Sequence, residues 1–458
     1  MFAILKLLLL SISSQLNADQ GFDVRRHLCT VTRYDVAKDM ANTSAVAANN
    51  IPNGCTPIHV NLVARHGTRS PNKKRMRELD KLASHLGELI REAEEQNLSL
   101  EKVPLWLRGW KSPWRGKLKG GELIRKGEEE LYNLGIRIRE RFSELFDEEY
   151  HPDVYPIKAT QVPRASASAV AFGMGLLSEK GGLGPAQHRA FAVTSEIPAS
   201  DIILRFHDCC GNYKDFKKRQ EPAVDKLKEP VLDEITSALV SRYGLKFTRQ
   251  DTATLWSLCK QEASVLDITD RACGLFSPSE VALLEWADDL ELFVLKGYGN
   301  SINYRMGVPL LEDVVQSMEQ AIKANEEFQK IRREEPLELP PKPPQSRNWR
   351  GSIVAPFAGN NMLVLHSCPA NSASKYFVQV LHNEQPIPMT GCNGSDFCPF
   401  EEFKEKIVAP HLKHDYDSVC TAKLEEPEQK PASSKLSQLF RCLLSLQNDD
   451  TRSTKDGL

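Results

Sequence analysis

The apolar positions of the chain fall into two periods, and the switches between them outline its elements. Pro57 to Ala64 has the β-branched and apolar content that suits a buried strand, and it stops abruptly at Arg65-His66-Gly67. From 75 to 98 the pattern becomes helical, with Met76, Leu79, Leu82, Leu86, Leu89 and Ile90 on one stripe. A second helix is predicted over 126–146 from Leu131, Leu134, Ile138, Phe142 and Leu145. Residues 156–160 predict a second strand, which leads through Pro163-Arg164 into a helix of small residues at 165–177. A third strand is predicted over 190–194. Between 212 and 330 the spacing is helical almost throughout, at 222–243, 249–268, 278–297 and 308–331. A proline-rich linker follows (Pro336, Pro340, Pro341, Pro343, Pro344), then strand patterns at Met362–His366 and Tyr376–Leu381. Residues 19–55 read as a poorly patterned arm and 421–458 as a polar tail. This order predicts an α/β domain at 19–200 and 346–420, interrupted by a mostly helical domain at 201–345.

Composition narrows the function without changing that outline. The 458 residues suffice for two or three domains, or for one α/β domain with a large insertion. Lysine plus arginine is 59 and aspartate plus glutamate is 61, a net charge of -2, which argues against a nucleic-acid partner. With 41% hydrophobic residues the chain is not an acidic disordered one. Residues 1–18 read as a signal peptide, with the apolar stretch Leu7–Leu10 and a small-residue cleavage site near Ala18. No later stretch approaches the ~20 apolar residues of a membrane span. Sequons at Asn42, Asn97 and Asn393 fit a secreted glycoprotein, and the eleven cysteines then become candidate disulfides. Cys392 and Cys398 are close enough to pair across the turn at Gly394, while adjacent Cys209 and Cys210 are expected to pair outward. The final Lys455-Asp456-Gly457-Leu458 resembles an endoplasmic reticulum retention signal, so the expected destinations are that compartment, the cell exterior, the wall or the vacuole.

The chemistry concentrates after the first strand. Ligands of α/β sheets bind beyond the carboxyl ends of strands, which puts His66 between Arg65 and Arg69 at the sheet rim. Arginines hold phosphate oxygens in forked, permanently charged contacts, and a largely neutral imidazole is a nucleophile toward phosphorus. Lys73, Lys74 and Arg75 extend the cluster to five cations within residues 65–75, more than one phosphate needs, which suggests a polyphosphorylated ligand. No cofactor is implied and nothing in this spacing suits a metal.

Arg65-His66-Gly67-Thr68-Arg69-Ser70-Pro71 resembles the signature of the histidine acid phosphatases, and the surrounding text resembles their multiple inositol polyphosphate phosphatase branch, plant type. The similarity runs from about 21 to about 420. It includes residues 159–166 around Arg164, Gly297-Tyr298-Gly299, residues 303–307 and 355–360, and Asp396-Phe397-Cys398-Pro399. The resemblance implies a three-layer histidine phosphatase domain with the helical insertion. It implies His66 as the residue that becomes phosphorylated, with Arg65, Arg69 and Arg164 clamping the phosphate. It also implies inositol polyphosphates, and 2,3-bisphosphoglycerate, as substrates.

One part of the pattern is missing. The family supplies the leaving group's proton from a His-Ala-Glu motif, and this chain has no histidine between His207 and His366. It passes from Asn325 straight to Glu326, where relatives place the helix that carries the acid. General acid help is worth roughly 10²–10⁴-fold for a poor leaving group, so an impaired enzyme or a non-catalytic polyphosphate binder is expected. Glu384, in His382-Asn383-Glu384, is a candidate surrogate acid, as is His207-Asp208. Loss of a helix beside a parallel sheet should also expose apolar surface, at ~25 cal/mol per Å².

Overall fold

The computed structural model describes residues 21–44, 54–325, 350–369, 372–412 and 416–421, apart from 118, 148, 179, 184–186 and 188. The expected signal peptide, the proline-rich linker, the junction after Asn325 and nearly all of the expected tail lie outside the described residues.

The strand before the Arg-His-Gly motif is β1, Thr56–Ala64. It pairs antiparallel with β4 (Asn360–Ser367), which pairs antiparallel with β5 (Tyr376–His382). The short strands β6 (Gln385–Pro386) and β7 (Phe397–Pro399) complete this five-stranded sheet on β5. The expected parallel pairing occurs only between β2 (Ile157–Thr160) and β3 (Val193–Glu196), in a separate two-stranded sheet. The third strand thus begins three residues later than its sequence pattern suggests.

Antiparallel pairing brings the end of β1 beside the start of β4, Ala64 opposite Asn360, and the end of β5 beside the start of β4 on its other side. His66 therefore meets the loop leading into β4, through Phe357 and Ala358. His366 pairs near Pro57 instead, at the far end of β1, roughly 25–30 Å away at ~3.3 Å per strand residue.

Alternation along the strands sends side chains to two apolar layers. Met362, Val364 and Leu381 meet helices α3 (Arg125–Arg141) and α4 (Pro163–Leu176) through Leu131, Leu134, Ile138 and Ala171. Leu365 and Val378 meet α8 (Val308–Asn325) through Val314, Val315 and Met318, together with Phe400 and Phe403. Both faces of the sheet are covered, and Val364, Leu365, Val378 and Leu381 are fully buried. The expected exposed apolar face is thus absent among the described residues.

Helix α2 (Lys73–Glu95) buries the stripe that its sequence predicts. It shares one core with α5 (Gly211–Tyr243), α6 (Arg249–Gln261) and α7 (Pro278–Lys296), through Leu79, Leu86, Leu239, Leu255 and Leu284. Helix α5 starts eleven residues before the predicted 222–243 and runs through Pro222 and Pro230. Its first turns are held instead by Tyr213 and Phe216, which pack around the Cys210–Cys420 disulfide. No helix among the described residues is long and apolar enough to cross a membrane.

The arm before β1 is more ordered than its sequence suggests. It forms two short 3-10 turns, Val24–His27 and Cys29–Val31, and then α1 (Tyr34–Ser44). Four disulfides form: Cys55–Cys368, Cys210–Cys420, Cys259–Cys273 and the expected Cys392–Cys398. Cys210 pairs outward as expected, while Cys29 and Cys209 have no disulfide partner among the described residues.

Candidate active site

The loop 65–71 is held peptide by peptide. Arg65 N–H donates to the Gly359 carbonyl at 2.8 Å, and Ala358 N–H donates to the His66 carbonyl at 3.0 Å. Gly67 N–H donates to Ser168 Oγ on α4 at 3.2 Å, and Ile124 N–H donates to the Thr68 carbonyl at 3.1 Å. Gly67 is required by contact: a Cβ there would lie 2.2 Å from the carbonyl oxygen of Gly127, in the first turn of α3.

His66 Nδ1 lies 2.9 Å from the Gly67 carbonyl, an acceptor, so Nδ1 carries the proton and Nε2 keeps its lone pair. The ring is enclosed and rests near Phe357, centroids 5.8 Å apart. Burial, then Arg65, push its pKa down from 6.5 to about 3. Arg164 and Arg69 act in the same direction, and among the described residues no carboxylate is a main influence on it. The imidazole is therefore neutral across the mildly acidic and neutral range.

Arg65 is seated from behind. Its Nη1 donates to the carbonyls of Thr30 (2.6 Å) and Ala355 (2.9 Å), and its guanidinium lies over Phe357 at 4.8 Å. Burial and then Arg69 lower its pKa to about 10, so it stays cationic. Arg69 donates to the Ser70 carbonyl at 2.9 Å and is lowered by burial and by Arg164. The Nε atoms of Arg69 and Arg164 are buried without a protein partner. Gly121, at φ +79°, crosses above them: a Cβ there would sit 3.9 Å from Arg69 Nη1 and 4.0 Å from Arg164 Nη1. Buried, mutually repelling guanidiniums with unmet donors form a site that an anion would complete.

The other expected residues divide. Lys73 and Lys74 are exposed on the first turn of α2. Arg75 pairs with Glu78 at 2.7 Å and reaches a cleft of about 280 Å³ between the arm and α5, α6 and α7. The same cleft takes Lys296 from the end of α7, open to solvent yet surrounded by protein. Burial lowers the Lys296 pKa, Glu291 opposes this, and Arg65 adds to it. Arg205 bears on Arg164 and pairs with Asp208. Neither Lys296 nor Arg205 is legible in the motif, although Lys296 immediately precedes the quoted Gly297-Tyr298-Gly299. Asn97 and Asn393 are exposed, and Asn42 lies in α1.

Glu384 requires a correction. Arg137 grips its carboxylate in a fork (2.7 and 2.8 Å), Tyr34 Oη donates at 2.6 Å and Lys38 at 3.3 Å. Burial alone would raise its pKa, but Arg137 and Tyr34 outweigh burial and hold it below the ordinary value. An ionised, fully engaged carboxylate has no proton to give, so Glu384 is a tie between α1, α3 and β5. His207-Asp208 fares no better, since Arg205 occupies the Asp208 carboxylate.

Residues 58–339 match the histidine phosphatase superfamily (branch 2). Multiple inositol polyphosphate phosphatase 1 of Gallus gallus is 26% identical over 375 residues, 74% of this chain and 79% of that protein. The phytase from D. castellii superposes with a TM-score of 0.64 at 17% identity, over 90% of this chain and 91% of that one. The Bifidobacterium longum multiple inositol polyphosphate phosphatase, in complex with inositol hexasulfate, gives a TM-score of 0.58 at 16% identity, over 83% and 97%. The Arg-His-Gly loop, the arginine cluster and these likenesses agree: the chain belongs to branch 2 of the histidine phosphatase superfamily.

Proposed function

We propose that this chain is a phosphomonoester hydrolase that takes inositol polyphosphates, and also 2,3-bisphosphoglycerate, through a phosphohistidine at His66. The observation that carries this reading is the neutral His66, its Nδ1–H fixed on Gly67, facing a clamp of arginines with unmet donors. Nε2 attacks phosphorus, the N–P bond forms and the ester P–O bond breaks, while Arg65, Arg69 and Arg164 take up charge on the phosphoryl oxygens. Water then attacks phosphorus, the N–P bond breaks, and phosphate leaves with neutral His66 restored. Arg75 and Lys296 supply cations for further phosphates of the same substrate. Exposed Asn97 and Asn393, together with the disulfides, support a secretory address.

The alkoxide leaving group must still gain a proton. Among the described residues no carboxylate is a main influence on His66, which supports an impaired enzyme that is slow on alkyl esters and competent on aryl ones. The same observation favours a second reading, a binder that holds polyphosphates without turnover. Turnover of inositol hexakisphosphate against p-nitrophenyl phosphate separates impaired from full activity, and full rates on the alkyl ester would overturn impairment. Acid-quench trapping of phosphate on His66 separates enzyme from binder, since a binder leaves His66 unlabelled. The transcript around codons 320–335 distinguishes a skipped segment from a lost one.

A further inference from the structure

We propose that Glu130 is the positioning residue of the nucleophile loop, a role that rests on His66 being the phosphorylated group. Glu130 lies one and a half turns into α3, with both carboxylate oxygens turned to the loop. One carboxylate oxygen accepts from Thr68 N–H at 2.7 Å, and the other accepts from Thr68 Oγ1–H at 2.8 Å. The second oxygen also accepts from Tyr34 N–H, at the start of α1, at 3.3 Å. Thr68 is completely buried, so its N–H and hydroxyl have no water to turn to.

This grip fixes more than one residue. Thr68 is two positions from His66 and one from Arg69, so its peptide plane sets where both side chains leave the backbone. Around it the chain has no slack. A Cβ at Gly127 would fall 2.2 Å from the Thr68 carbonyl oxygen, so α3 and the loop touch backbone to backbone. With both oxygens of one rigid carboxylate engaged by the same residue, the loop can neither rotate nor slide along α3. The negative charge adds a second effect, because Glu130 is among the few groups that favour the cationic state of Arg65. It offsets part of the repulsion among the arginines while its oxygens are engaged by Thr68 and Tyr34.

Neutral glutamine cannot reproduce this. Its amide nitrogen would have to replace one acceptor: on one side it would face Thr68 N–H, and on the other, where the Thr68 hydroxyl can turn to accept, it would still face Tyr34 N–H. Single-turnover burst kinetics of Glu130→Gln on p-nitrophenyl phosphate test the idea. The anion-competent fraction is counted in the same sample by titration with inositol hexasulfate. The expected result is a phosphorylation rate per competent site reduced about 100-fold, with ligand affinity within a few-fold of wild type. Thr68→Val, which removes only the hydroxyl bond, should fall between, and adding it to Glu130→Gln should cost little more. Glu129→Gln, on the exposed face of the same helix, should behave as wild type. A burst rate per competent site unchanged in Glu130→Gln while wild type labels His66 would overturn the positioning role. If Glu130→Gln does not fold, an unchanged burst rate in Thr68→Val overturns it instead. Wild type that never labels His66 would overturn the hydrolase reading.

Discussion

A histidine surrounded by arginines resists taking a proton, and this shapes both reactivity and stability at one residue. In the unfolded chain His66 titrates near 6.5, while in the fold burial and Arg65 bring it to about 3. A base whose folded pKa is depressed contributes stability that is present above 6.5 and lost as pH falls toward 3, because the unfolded chain then binds the extra proton. His66→Ala should therefore gain melting temperature relative to wild type as pH drops from 7 to 4, a trend that paired thermal scans would reveal. The guanidiniums make a complementary prediction. Arg69→Lys keeps a charge but loses the fork, so kcat/KM on p-nitrophenyl phosphate should fall by about 10-fold or more. Residues 65–69 were legible because they are contiguous and follow a strand pattern that ends abruptly. Arg164 was legible only through the resemblance. Glu130, Lys296 and Arg205 sit in or beside helices whose apolar spacing says which face is buried but not which polar turn meets a distant loop.

Among elements, pairing direction was the least legible property, because a strand's own residues do not encode its neighbour's orientation. The run Pro57–Ala64 identified β1, whereas its antiparallel partner begins at Asn360, 296 residues after Ala64. The arm was read as unpatterned because 3-10 turns have neither the helical nor the strand period. Its attachment depends on Glu384, and this allows a clean separation of roles. Glu384→Ala leaves Arg137 buried without its partner and should lower stability by about 3–5 kcal/mol in denaturant titration. The ratio of alkyl to aryl ester turnover should stay constant, whereas a surrogate acid would lose the alkyl activity selectively. Replacing both Cys55 and Cys368 by serine, which unfastens the start of β1 from the end of β4, should cost about 2–5 kcal/mol by the same measurement.

On the scale of the whole molecule, a net charge of -2 conceals a concentrated positive field at one end of the five-stranded sheet. Screening should then act on multiply charged ligands first. Raising salt from about 0.05 to 0.3 M should increase KM for inositol hexakisphosphate several-fold and change KM for p-nitrophenyl phosphate much less. The run of helices between 211 and 325 was legible from periodicity, while the core that α2 shares with α5, α6 and α7 was not, since it joins segments far apart in the chain. The seating of Arg65 has a consequence for biosynthesis. Its two carbonyl acceptors belong to Thr30 and Ala355, so a chain still emerging from the ribosome carries His66 long before Arg65 has both supports. Contacts of such long sequence separation close late in folding. The arginine cluster is thus assembled at the end of synthesis, and a chain interrupted before Ala355 carries the motif without the seat that aims it.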